Sequence, residues 1–233
     1  MNVQYASEEG PVFSNCRRAF ALFVSFCFAI PLPAQAFETP LSDTAVRDAY
    51  FLGQHHDDVY SDFMRRYNVF LPPPKTGPQI GAISFFTPYA LTAMYSNQQS
   101  SSYSAQQAQI DHDKAPEIVR VVVQIWFTGT YGAYIVQPAD SHTPGPRGFL
   151  PRSPDFWHDF RVRVLQAEQM LLPQNASGEP QWNCGGDSGC ELAGATLTFN
   201  YPATAFTSGA VTIQVTPPEG DPVLVDFDPA SLR

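Results

Sequence analysis

The chain has 233 residues, 13 basic and 22 acidic, for a formal net charge of -9. A surface this acidic repels phosphate backbones and no basic stripe interrupts it, which disfavours nucleic-acid binding. Only 15% of residues are charged, while 22 are proline and 18 are phenylalanine, so many turns and long connections are expected rather than a helical bundle.

The N-terminal segment reads as an export address. Arg17-Arg18 supplies a positive end, Ala19 to Ile30 an apolar run, and Pro31 and Pro33 interrupt it. Ala34-Gln35-Ala36 then gives the small-x-small pattern of a cleavage site. The apolar run is shorter than the roughly 20 residues a membrane span requires. Residues 1–36 are therefore expected to be a signal peptide, and 37–233 the mature chain. The segment before Arg17 is long and carries Glu8 and Glu9. Arg17-Arg18-Ala19-Phe20 resembles the twin-arginine export motif in its Arg-Arg-x-Phe core. That resemblance implies a route for folded, often cofactor-loaded cargo; general secretion is the other route.

Residues 37–116 read as a helical N-terminal region. Ser42 is a suitable N-cap and Asp43 suits the positive end of the helix dipole. Val46, Ala49, Tyr50 and Gly53 recur at helical spacing, as do Tyr60, Phe63, Met64 and Tyr67, with a break expected near Gly53. Pro72-Pro73-Pro74 ends this stretch. A short strand at 79–86, a helix from Pro88 to about Asn97 and a short helix over 105–111 follow.

From residue 117 the period becomes two. Val119, Val121, Val123, Ile125 and Phe127 line one face of a strand whose other face, with Arg120, Val122, Gln124 and Trp126, is also largely apolar. This predicts a central strand covered on both sides. A strand over 130–137 and a Pro/Gly loop over 141–154 are expected next. Alternating runs at 160–164, 196–201, 211–215 and 223–227 complete the pattern. Six or seven such strands predict an α+β protein whose core, over 117–233, is an antiparallel β-sandwich, immunoglobulin-like in one arrangement, preceded by the helical layer.

Cysteine usage fits export. Cys16 and Cys27 fall within the signal peptide, leaving Cys184 and Cys190 around a glycine-rich loop, where a disulfide is expected. Within that loop, Gly186-Asp187-Ser188-Gly189 resembles the sequence around the nucleophile of chymotrypsin-like proteases. However, Cys190 stands where that family has a further glycine, and no segment resembles its Ala-Ala-His-Cys motif. A disulfide-closed turn accounts for the same residues. Asn175-Ala176-Ser177 is an N-glycosylation sequon, relevant in a host that modifies it.

Two constellations carry candidate chemistry. His55, Asp58 and Asp62, spaced three and four apart, share one face if they lie on a helix, and with His112 they would suit a divalent metal. A solvated helix face needs the same residue types, and Asp111-His112-Asp113 also reads as a turn. Tyr131, Tyr134, Phe149, Phe156 and Trp157 cluster around the Pro/Gly loop as an aromatic platform for a protein, peptide or glycan of the envelope; the alternative is that these rings fill the core. His142 and His158 read as isolated surface or packing residues. The leading expectation is an exported, soluble, non-enzymatic binding or assembly module without a cofactor. The alternative is a metal-dependent hydrolase built on His55, Asp58 and Asp62.

Overall fold

In the computed structural model, which describes residues 36–99, 102–136, 148–185 and 189–233, the first helix starts where its cap requires. The Ser42 hydroxyl accepts from the Ala45 N–H at 3.3 Å, opening α1 (Asp43–Gly53). The face carrying Ala45, Val46, Ala49 and Gly53 is buried. A Cβ at Gly53 would lie 2.2 Å from the Ala93 carbonyl oxygen, so this position needs glycine for close approach to a neighbouring helix. Gln54, in the break after α1, donates to the Ser96 carbonyl at 2.9 Å and ties the helices further.

A second helix, α2 (Asp58–Arg65), begins at an Asp57 cap that accepts from the Val59 N–H at 3.0 Å. Then come β1 (Asn68–Phe70), β2 (Gln79–Phe86), α3 (Pro88–Gln98) and α4 (Ala105–Lys114). Helix α3 starts with Thr87 as cap and Pro88 in its first turn, where a missing N–H is tolerated. Helix α4 starts at a Ser104 cap and runs on through Asp111-His112-Asp113. Those three residues are thus helical, not a turn: each aspartate accepts from a glutamine one turn earlier, Gln107 to Asp111 at 2.7 Å and Gln109 to Asp113 at 2.9 Å.

Strand β3 (Ile118–Trp126) organises the larger sheet. Val119, Val121, Val123 and Ile125 are fully buried; the alternate residues are half-buried and Trp126 is exposed. The strand is therefore central, as its pattern predicts, but its second face is only partly covered. It pairs antiparallel with β2 on one side and β9 (Cys190–Pro202) on the other. The full order is β1-β2-β3-β9-β8, with β8 (Asn175–Cys184) at the edge, so this sheet draws strands from both sides of residue 116. Cys184 and Cys190 face each other in register at the end of the β8–β9 hairpin and form a disulfide.

A four-stranded antiparallel sheet has the order β11-β10-β6-β7, from β6 (Arg161–Gln166), β7 (Gln169–Leu171), β10 (Val211–Thr216) and β11 (Val223–Phe227). Inward side chains of both sheets, among them Phe85, Val121, Leu197, Ile213 and Phe227, belong to one hydrophobic core. The protein is thus α+β with antiparallel sheets. The strand expected at 130–137 does not join either of them. Of its described residues, 130–136, only β4 (Tyr134–Val136) is strand, and among the described residues it pairs with β5 (Phe149–Pro151) alone as a separate two-stranded ribbon.

Candidate functional site

The metal constellation is not assembled as its spacing suggests. His55 lies in the break between α1 and α2, before the Asp57 cap, and so shares no helical face with Asp58 and Asp62. Its Nδ1 lies 3.4 Å from Asp57 Oδ2. Asp57 is pulled in opposite directions: loss of solvent raises its pKa, but the Val59 N–H and the His55 contact outweigh this and lower it. Asp58 occupies the first turn of α2, and Asp62 pairs with Arg65 at 2.9 Å. His112 belongs to α4 and faces Glu117, with Nε2 3.2 Å from Oε1. Among the described residues no group of three or more His, Cys, Asp and Glu side chains is placed to hold a metal ion.

The aromatic constellation divides by depth. Tyr131 and Phe156 are buried in the core, packed with Phe127 and Phe160. Trp157 is half-buried: its indole lies against β8 at Gly178, where a Cβ would meet it at 2.3 Å, and it stacks on His158 at 3.6 Å. Tyr134 and Phe149 are exposed, at 55% and 71%, on the β4–β5 ribbon. Ile135 and Leu150, also on the ribbon, are paired in register and likewise exposed. Strand alternation puts Tyr134 and Phe149 on one ribbon face and Ile135 and Leu150 on the other.

Arg152 fixes the base of this ribbon. Its backbone N–H donates to the Ala133 carbonyl at 2.6 Å and its Nε to the Gly132 carbonyl at 2.9 Å. The guanidinium lies 3.7 Å from the centre of the Tyr131 ring, a cation–π contact linking ribbon and core. Burial pushes the Tyr131 hydroxyl pKa up, and among the described residues that hydroxyl has no hydrogen-bond partner. Half of the predicted loop, residues 141–147 with His142, lies outside the described residues, as does the Gly186–Ser188 part of the protease-like tetrapeptide.

A second feature was not visible in the sequence. Helices α3 and α4 cover the outer face of β3 incompletely and leave a cavity of about 390 Å³ above Ile118 and Arg120. Leu91, Thr92 and Tyr95 of α3 form one wall, and Ala108, Asp111 and His112 of α4 another. Tyr103 donates to Asp111 at 3.1 Å; burial and this carboxylate both raise its pKa. Glu117 is committed to the scaffold, accepting from the Thr39 hydroxyl and the Leu41 N–H. Of the four residues proposed for the metal, His112 alone lines this cavity.

No protein-family description matches the chain, and no curated protein shows significant similarity to it.

Proposed function

We propose that this is an exported binding or assembly module of the cell envelope, periplasmic or secreted, that engages a partner through the β4–β5 ribbon. The observation carrying this reading is the ribbon itself. It leaves four large apolar side chains, Tyr134, Ile135, Phe149 and Leu150, in solvent on two opposed faces. Large apolar side chains left exposed together on one short element are costly in water and are characteristic of an interaction site. Anchorage by Arg152 reduces the ordering cost of binding, because the strands are already paired. The partner is a protein or peptide with its own apolar surface.

Export rests on the Arg17–Ala36 sequence pattern, and the Cys184–Cys190 disulfide agrees with an oxidising compartment. We read the two sheets as a β-sandwich, on the ground that their inward faces share one core. A metal-dependent hydrolase using His55, Asp58 and Asp62 ranks second, since those residues are divided between an interhelical break and α2.

The test is photo-crosslinking in the producing cell from an unnatural residue at Phe149, with Leu224, which is also exposed, as the control site. A discrete adduct from position 149, absent from position 224 and lost when Leu150 is changed to Ser, supports the reading. The same adducts from both positions, or none from either, would refute it.

A further inference from the structure

We propose that the cavity between α3, α4 and β3 binds a small carboxylate with an aromatic or aliphatic body, and that Arg120 receives its charge. Arg120 lies on the half-buried face of β3, and its Nε donates to Asn200 Oδ1 at 3.0 Å, across the directly paired position of β9. This bond fixes the guanidinium over the cavity floor. Among the described residues no ion pair includes Arg120. A half-buried guanidinium without a counterion has lost part of its hydration without compensation, so an anion entering the cavity gains a strong, charge-assisted partner.

The other charged groups at the site are already engaged. Asp111 accepts from Tyr103 and Gln107, and Glu117 accepts from Thr39 and Leu41 and faces His112. These bonds hold both carboxylates to the scaffold beside the cavity. Apart from Thr92 and Gln98 the remaining lining is apolar or aromatic, with Pro88, Leu91, Met94, Tyr95, Pro116 and Ile118 among it. That combination, a guanidinium without a carboxylate partner among the described residues in a mainly apolar cavity of about 390 Å³, is of the size and polarity of small-molecule sites. The chain's net charge of -9 gives anions no long-range attraction, so recognition depends on Arg120 locally. The site shares no residue with the ribbon and stands independently of the role proposed for it.

The test uses octanoate and phenylbutyrate as probes, their neutral amides and octylamine as controls, and calorimetry with amide NMR on the purified protein. Both carboxylates should bind, shifting resonances in α3, α4 and the start of β3, and each amide should bind at least about tenfold more weakly. Arg120→Gln should weaken carboxylate binding about ten- to hundredfold and leave amide binding unchanged. If Arg120→Gln fails to fold, Arg120→Lys, which keeps the charge, and Leu91→Trp, which fills the cavity, decide the matter: the first should retain carboxylate preference and the second abolish binding. Equal affinity for acid and amide, preference for the amine, no carboxylate binding up to about 5 mM, or binding undiminished in Leu91→Trp would overturn the proposal.

Discussion

Strand β3 and the β4–β5 ribbon are built from the same kinds of residue and meet opposite fates. Both are rich in the β-branched and aromatic side chains that favour extended backbone. In β3 the residues Val119, Val121, Val123 and Ile125 are fully removed from water, because β2 and β9 flank the strand along its length and a second sheet closes over it. In the ribbon, three register pairs hold two short strands together and nothing among the described residues covers either face. Strand-forming chemistry alone therefore does not decide burial; the number of paired neighbours and a facing layer do. The same apolar surface is core in one place and contact surface in the other.

The sharpest way to break this contrast is to hollow the core. Ile125→Ala removes a fully buried side chain from the central strand and should cost about 2–5 kcal/mol in urea unfolding. A loss below about 0.5 kcal/mol would mean that β3 is not the stabilising spine of the sheet. Next in size is the hairpin staple. Replacing Cys184 and Cys190 together by Ser frees a short loop and should lower stability by about 2 kcal/mol in the same assay. Reducing agent should bring the wild type to the same value and leave the double variant unmoved.

Titration gives a third test of the covered region. Tyr201 of β9 is buried between the sheets, and burial pushes its pKa up to about 12. An unfolded tyrosine titrates near pH ~10. Between these values the unfolded chain gives up its proton first, so stability is retained below pH ~10 and declines as pH rises towards the folded value. Tyr201→Phe should flatten that alkaline decline, as followed by denaturant midpoints across the range. An unchanged slope would show that the Tyr201 phenol already reaches solvent.

Capping and periodicity made much of this fold readable. Ser42, the 3.6-residue spacing of α1 and the unbroken alternation of β3 are local signals whose outcome does not depend on distant partners. Spacing read without the cap puts His55 on a helix; Asp57, a capping residue three positions before the periodic stretch begins at Tyr60, is the available signal that the helix starts after it. Strand β8 gave no signal at all. Its side chains are mainly polar and exposed, and it is a strand because the hairpin brings it to β9. For the five aromatics expected around the Pro/Gly loop, alternation cannot say which rings turn inward: Tyr131 is buried and Tyr134 exposed, a difference set by the packing each finds. Arg120 was legible as a polar residue on an apolar strand. The cavity above it was not, because it exists only where two helices and a strand remote in sequence fail to close on each other.

The smallest expected effect is also the one that bears most directly on the contrast. Phe149→Ser with Leu150→Ser removes two large apolar side chains, as Ile125→Ala removes one, yet both are at least half in solvent before and after folding. Burial is the source of hydrophobic stabilisation, so little transfer energy is lost, and unfolding should shift by no more than about 0.5 kcal/mol. Arg152 and Tyr131 still hold the base, because their contact involves neither substituted side chain. What should change is the behaviour of the folded protein in solution: retention on a hydrophobic-interaction column should fall, as should any ribbon-dependent crosslink. A stability loss approaching that of Ile125→Ala would place the ribbon in the folded core, and the exposed apolar faces could no longer be counted as a binding surface.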